Sequence, residues 1–250
     1  MKQYGLLGYP LGHSFSKGYF SNKFTKEHID ATFVNYEIPA SDLSSLRSLY
    51  ELNKDLSGTT VTIPHKQSIM PLLDEIDKAA QFIGAVNVVK PIRKNGLISL
   101  VGYNTDCIGF EQSLVPLLPN GDVKALVLGT GGASKAVVYV LSKLNIPYKL
   151  VSRNNSENCI SYDQVDEKML AEHLLVINTT PLGMYPKVDT LPRLPYNKAT
   201  EDHLFYDLVY NPEETAFMKE ARKYGAKTKN GLEMLYLQAE AAWAIWQDLE

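Results

Sequence analysis

Short apolar, β-branched runs alternate with stretches of helical periodicity almost from one end of the chain to the other. That alternation predicts βαβ units and a largely parallel sheet, hence an α/β fold. In the first part, residues 4–8, 33–38, 59–63 and 85–89 read as strands, with helices over 15–28, 43–52 and 68–73. The turn signal Lys94-Asn95-Gly96 joins a strand over 85–91 to one over 97–102 and predicts an antiparallel edge there. A helix over 108–117 leads into the turn cluster Pro119-Asn120-Gly121-Asp122, and the alternation restarts at 125–128, so a second domain begins near that point. Further strands are expected over 148–152, 174–178 and 205–208. The closing segment 232–246 is apolar almost all round a helix, which predicts a buried or interdomain position. No repeat or low-complexity tract interrupts the pattern.

With 250 residues, 45% of them hydrophobic, the chain can bury a sizeable core and is long enough for one large or two small domains. A formal net charge of −3 leaves no basic excess for nucleic acid or an anionic membrane, so a small diffusing ligand is expected instead. Cys107 and Cys159 have no partner at metal-ligand spacing, which argues against a zinc site or a disulfide framework; both are expected reduced and packed, and no metal is expected. The first residues lack a signal-peptide pattern and no later run is long and apolar enough to span a bilayer, so a cytoplasmic location is expected.

The strongest local signal is Leu126-Val127-Leu128 followed by Gly129-Thr130-Gly131-Gly132-Ala133-Ser134 and a helix over 135–144. Glycines in that place let the backbone approach a pyrophosphate, whose charge is met by N–H groups at the helix start. Ser134 stands where the general fingerprint ends in Gly or Ala. The next strand ends at Ser152-Arg153, where an NAD enzyme usually presents an acidic residue to the ribose; an arginine pairs with a 2′-phosphate instead, so NADP is favoured. A tight turn with an exposed arginine and no ligand is the plain alternative. A nucleotide-triphosphate loop fits worse, because Ala136 replaces the hydroxyl that would hold magnesium.

Three clusters of small polar residues stand at ends of expected strands in the first part: Gly12-His13-Ser14-Phe15-Ser16, Thr60-Val61-Thr62-Ile63-Pro64-His65-Lys66, and Gly84-Ala85-Val86-Asn87 leading to Gly102-Tyr103-Asn104-Thr105-Asp106. A lysine and an aspartate from neighbouring strand ends can share one proton-transfer site, which hydride transfer to a carbonyl carbon requires. The same residues also have structural readings: an exposed ion pair for Lys66 and Asp106, a helix cap for Ser14 and above all Ser16, a backbone partner for Asn87, and a solvent-facing position for Gln238. His65 is read as packed, and His13, His28, His173 and His203 form no constellation.

Taken with Asn178-Thr179-Thr180-Pro181-Leu182-Gly183-Met184, Asp207-Leu208-Val209-Tyr210-Asn211-Pro212 and Gly231-Leu232-Glu233-Met234-Leu235, these motifs resemble the shikimate dehydrogenases, in the shikimate/quinate dehydrogenase family, over residues 4–238. The resemblance implies a substrate-binding α/β domain with a mainly parallel sheet, residues 1–105 completed by 232–250. It also implies a Rossmann-like NADP-binding domain, 106–231, with the active site in the cleft between the two. It implies reversible NADPH-dependent reduction of 3-dehydroshikimate to shikimate, with Lys66 and Asp106 catalytic. Ser14, Ser16, Thr62, Asn87, Asp106, Tyr210 and Gln238 would bind substrate. Gly129, Thr130, Gly131, Gly132, Ala133, Ser152, Arg153, Asn154, Leu208, Gly231 and Met234 would bind cofactor. Many relatives read Asn-Arg-Thr where this chain has Ser152-Arg153-Asn154, so the partners of the adenosine ribose change while the guanidinium stays. The rivals are an NAD-dependent quinate/shikimate dehydrogenase and a non-catalytic shikimate-binding regulator; a homodimer is left open.

Overall fold

The computed structural model describes residues 1–12, 14–119 and 121–248. His13, Asn120 of the expected turn and the last two residues of the expected 232–250 segment lie outside them. Two compact units are present, Met1–Thr105 with Ala239–Glu250 and Asp106–Gln238. The first unit runs β1 (Lys2–Gly8), α1 (Phe15–Lys26), β2 (Ala31–Glu37), α2 (Leu46–Leu52), β3 (Leu56–Val61), α3 (His65–Ser68), β4 (Glu75–Ile76), α4 (Lys78–Ile83), β5 (Val88–Lys94) and β6 (Leu97–Tyr103). The second runs α5 (Asp106–Leu114), β7 (Ala125–Leu128), α6 (Gly132–Lys143), β8 (Tyr148–Ser152), β9 (Ile160–Ser161), α7 (Glu167–Glu172), β10 (Leu175–Asn178), β11 (Leu204–Asp207), α8 (Ala216–Arg222) and β12 (Lys227–Lys229). The closing helix α9 (Leu232–Gln247) contains the second division between the units.

In the first unit the strand order is β2-β1-β3-β5-β6-β4, and β5 runs against the others. Successive side chains of a strand face opposite ways, and both faces here are covered. Tyr4, Leu6 and Val88 join Phe20, Phe24 and Phe33 under α1 and α9, while Leu7, Val61 and Val89 join Leu46, Tyr50, Ile69 and Ala80 under α2, α3 and α4. The α9 side is an aromatic cluster: Tyr4 stacks on Trp246 with ring centres 4.9 Å apart and meets Trp243 edge-on at 5.2 Å. Such pairs add about 0.5–1.5 kcal/mol each beyond the area they bury. The Trp246 indole N–H donates to the Val89 carbonyl at 3.2 Å, so the buried nitrogen is satisfied by the sheet itself.

The second unit's sheet is fully parallel in the order β12-β11-β10-β7-β8-β9. Numbered within the unit this is 3-2-1-4-5-6, the doubly wound order, with its switch point between β7 and β10. Leu126, Leu128, Val151, Val176 and Phe205 pack with Leu170, Phe217 and Met218 of α7 and α8. On α5, Phe110 meets Tyr206 edge-on at 5.2 Å, and the Ser113 and Tyr206 hydroxyls share a hydrogen bond of 2.6 Å.

Several expectations are corrected. The hairpin does turn at Asn95 and Gly96, both with positive φ, but it is not the sheet edge, because β4 pairs outside β6. The strand expected from Ala85 begins only at Val88. Val86 N–H donates to the Lys66 carbonyl and the Ala85 carbonyl accepts from Asn104, so this backbone is bonded outside a ladder. The strand expected to reach Ile63 ends at Val61, ahead of Pro64, which has no N–H to donate. The helix expected over 68–73 is α3 followed by a 3-10 turn at Met70–Leu72, since Pro71 cannot continue an α-helix. Ser14, not Ser16, caps α1, accepting from Lys17 N–H at 3.2 Å. Cys107 is buried but Cys159 is half-exposed in a loop, and α9 buries Ala239, Ala242 and Trp246 rather than most of its circumference.

Gly58 on β3 faces the Trp246 indole so closely that a Cβ atom would overlap it. We expect Gly58→Ala to destabilise the chain by about 1–3 kcal/mol through overpacking. Both tryptophans of the protein lie on α9, so fluorescence-detected urea unfolding reads this site directly. An unchanged midpoint would show that the indole can move aside.

Candidate functional site

A parallel strand delivers its carboxyl end, and whatever follows it, to one edge of the sheet. In the first unit β1 leads at that edge to Ser14, and β3 leads to Thr62 and Lys66. Because β5 runs backwards, the residue before it, Asn87, stands at the same edge, and β6 brings Asn104 and Thr105 there. Backbone bonds stitch these loops together: Thr62 N–H to Leu7 O at 2.9 Å, Val86 N–H to Lys66 O at 2.7 Å, and Asn87 N–H to Tyr103 O at 2.9 Å. Asn87 is almost fully buried, and its Oδ1 accepts from Thr105 N–H at 2.7 Å while its Nδ2 donates to Thr105 Oγ1 at 3.0 Å. The side chain therefore fixes the backbone immediately before Asp106, the first residue of α5. His65 is fully buried with Nε2–H donating to Ile38 O at 2.6 Å, which matches the packed reading.

In the second unit a pocket of about 450 Å³ opens at the carboxyl ends of β7, β8 and β10, on the switch point. It gathers Gly129, Thr130, Gly131, Ser152 and Arg153 of the expected cofactor set. Gly129 has φ +105°, and a Cβ there would lie 2.8 Å from Thr179 Oγ1, so only glycine lets the loop pass this close to β10. At Gly131 and Gly132 added side chains would meet open space, and no side chain caps α6 at Gly131. The pocket-lining turn thus leads straight into the first turn of α6, whose N–H groups have no side-chain cap, as a pyrophosphate needs. The departure at Ser134 costs nothing here, because its hydroxyl turns back to donate to Gly131 O at 2.6 Å. Gly132, Ala133 and Asn154 are exposed but do not line the pocket.

The other half of the expected cofactor set sits farther along the same edge. Gly231 is pressed so tightly on the Leu208 carbonyl that any side chain would collide, and its N–H donates to Val209 O at 3.2 Å. This brings Leu208 and Gly231 together, with Met234 one turn into α9. Gly109 plays a like part between helices: a Cβ there would lie 2.5 Å from Met234 O and 2.9 Å from Gln238 N. The close crossing fixes α5, which begins at Asp106, against the turns of α9 that carry Met234 and Gln238. Tyr210 is 39% exposed and Gln238 is half-buried.

Residue-type reasoning assigned no role to Asn178, Asp207 and Thr215, which the structure joins into one buried network. Asp207 Oδ1 accepts from Asn178 Nδ2 at 2.9 Å and from Val209 N–H at 3.0 Å, and its Oδ2 accepts from Thr215 Oγ1 at 2.6 Å. Asn178 Oδ1 in turn accepts from Thr180 N–H at 3.0 Å and Thr180 Oγ1 at 2.6 Å. Thr215 also caps α8. The network sets the loop after β10, which lines the pocket through Thr179, Thr180, Pro181 and Leu182, and the loop after β11, which carries Leu208 and Tyr210. Tyr162, also on the pocket wall, was missed as well.

The family model described as the shikimate dehydrogenase substrate binding domain matches residues 6–89. A shikimate dehydrogenase (NADP(+)) of Desulforamulus reducens is 36% identical over 97% of this chain and 88% of its own length. Among solved structures, a chorismate mutase/shikimate 5-dehydrogenase fusion protein from Clostridium acetobutylicum superimposes with TM-score 0.87 at 37% identity, covering 100% of this chain and 91% of that one. The shikimate 5-dehydrogenase of Thermus thermophilus, solved with NADP(H) and shikimate, gives TM-score 0.84 at 28% identity, covering 100% and 94%.

Burial pushes the Asp207 carboxyl up to about 6, against the lowering effect of Thr215, Val209 N–H and Asn178. A carboxyl raised above its ordinary value of 3.8 favours the protonated folded state, so its contribution to stability is full below about 3.8 and is lost as pH rises through about 6. Asp207→Asn should remove that dependence. Unfolding free energies of the two proteins, measured from about pH 4 to about pH 7, should differ by an amount that changes across this window and levels off above it. A constant difference would contradict the assignment.

Proposed function

The chain belongs to the shikimate dehydrogenase family, and on that premise we propose that it reduces 3-dehydroshikimate to shikimate with NADPH, reversibly, in the shikimate pathway toward chorismate and the aromatic amino acids. The observation that carries the reading is the meeting of the Gly129, Thr130, Gly131 turn with Arg153 in one pocket at a sheet switch point. The residues fit an NADP molecule: glycine where a Cβ is excluded, open N–H groups at a helix start, and a guanidinium one strand away. NADPH, when bound, supplies the hydride.

The protein's own residues do the rest. Gly129, Thr130, Gly131, Gly132 and Ala133 hold the pyrophosphate, and Ser152, Arg153 and Asn154 hold the adenosine phosphate end. Leu208, Gly231 and Met234 set the nicotinamide region. Ser14 accepts from Lys17 N–H through a lone pair, which leaves its hydroxyl hydrogen to donate to the substrate carboxylate together with Ser16; Tyr210 assists. Thr62, Asn87, Asp106 and Gln238 bind the ring hydroxyls, and an analogue lacking one leaves a polar group unpaired at a cost of about 1–3 kcal/mol. Lys66 gives its proton to the C3 oxygen and counters the developing alkoxide, with Asp106 as its partner in proton transfer. In oxidation the same amine takes up the proton that leaves the C3 oxygen.

On this reading Met1–Thr105 supplies Ser14, Ser16, Thr62, Lys66 and Asn87 to the substrate, and Asp106–Gln238 carries the cofactor residues together with Asp106, Tyr210 and Gln238. No helix among the described residues is long and apolar enough to cross a membrane. We also infer a cytoplasmic setting with no nucleic-acid partner; light scattering decides whether the chain is a homodimer.

Purified protein is expected to oxidise NADPH on addition of 3-dehydroshikimate, followed at the nicotinamide absorbance band. Lys66→Ala should lower turnover by about 10²–10⁴-fold with shikimate still bound. Binding of 3-dehydroshikimate without NADPH oxidation by the unaltered protein would favour a regulator. Faster turnover of quinate with NAD than of shikimate with NADP would favour the quinate enzyme.

A further inference from the structure

We propose that the Tyr162 hydroxyl is a second donor to the 2′-phosphate of NADP, acting beside Arg153 and contributing to the choice of NADP over NAD. The inference rests on the cofactor reading above and adds a residue to it. Strand β9 pairs with β8 in parallel, Val151 opposite Ile160 and Ser152 opposite Ser161. The next residue of each strand is Arg153 on one side and Tyr162 on the other. They leave adjacent strands at the same edge, and both line the pocket that holds the glycine turn.

The local structure suits a fixed donor. A capping box between Ser161 and Gln164 closes the turn that begins at Tyr162, with Ser161 N–H donating to Gln164 Oε1 at 2.9 Å. Tyr162 is half-buried and packs against the core cluster of the unit, as Ile160 and Met169 also do, while it lines the pocket. Among the described residues neither the Tyr162 hydroxyl nor the Arg153 guanidinium has a hydrogen-bond partner. Asp163, the nearest acid in sequence, is engaged by Arg193 at 2.9 Å. Burial raises the Tyr162 phenol above its ordinary value, more than the nearby Arg153 charge lowers it, so the group is a neutral donor at physiological pH. A neutral donor beside a cation complements a phosphate dianion; for the bare 2′-hydroxyl of NAD it offers much less.

The test is calorimetric titration of the full chain with adenosine 2′,5′-bisphosphate and with AMP. Tyr162→Phe is expected to weaken the bisphosphate by about tenfold, the worth of one hydrogen bond to a charged group, and to leave AMP unchanged. An unchanged ratio of the two affinities in Tyr162→Phe overturns the proposal. So does a Tyr162→Ala variant that weakens both ligands equally while Tyr162→Phe does nothing, since the ring would then be only a wall. Arg153→Ala, measured alongside, separates the two readings: a reduced ratio in Tyr162→Phe but not in Arg153→Ala upholds Tyr162 and removes Arg153. An unaltered chain that binds both ligands alike overturns both.

Discussion

Where parallel strands end, backbone N–H and C=O groups lose their ladder partners while still inside a dry core, and each one left unmet costs about 1–3 kcal/mol. This chain meets them with a handful of buried polar side chains. In the first unit Asn87 takes Thr105 N–H and Asn104 reaches the Ala85 carbonyl. In the second, Thr179 donates to Leu128 O, Asn178 takes Thr180 N–H, and Asp207 takes Val209 N–H. The same bonds fix the turns that follow. Asn87, Asp106, Gly129, Leu208 and Tyr210, among the residues assigned to substrate and cofactor, stand in or beside those turns, so this part of the geometry is a by-product of satisfying the sheet ends.

That constraint explains what the sequence discloses. Buried parallel strands must be apolar on both faces, so 125–128 is located from composition alone and coincides with β7, whereas 148–152, where only Val151 is buried, coincides with β8 through its place one helix further along the alternation. The glycine turn is legible because its requirement is a backbone one that no other residue meets. Boundaries fail where a side chain replaces a ladder bond: the run from Ala85 is apolar enough for a strand, yet Asn87 and Asn104 have taken over its bonding. Short elements fail for another reason. Helices α4, α7 and α8 carry good caps in Asp77, Asp166 and Thr215, but they are too short for an apolar face to repeat convincingly.

The site follows the same division. Arg153 is legible because the end of the second strand of a doubly wound unit is a defined place. Asp207 is hidden, since a lone acidic residue after an apolar strand gives no sign that it will be buried and shared among Asn178, Thr215 and Val209 N–H. Its neighbours could have suggested it: Asn178 and Asp207 end adjacent strands in register, each followed by a threonine-bearing loop. Tyr162 has no such signal. Its place depends on the register of a two-residue strand, which no periodicity can reveal.

The second unit therefore supports its proposed ligand from two independent sides. On the proposed reading the adenosine end would rest on β8 and β9, at the outer edge of the sheet, where Arg153 and Tyr162 stand on a short, locally capped connection. The nicotinamide end would rest on β10 and β11, across the switch point, where the buried Asp207 carboxylate holds the backbone after Leu208 through Val209 N–H. Among the described residues, the bonds of the Ser161–Gln164 turn and those of the Asn178–Asp207–Thr215 network share no side chain. Free energies of separate, unconnected sites add, so the outer edge is free to change its preference between phosphate and hydroxyl without moving the hydride-transfer end. A carboxylate with three donors cannot change in the same way, because removing any one of them leaves a buried charge short of a partner.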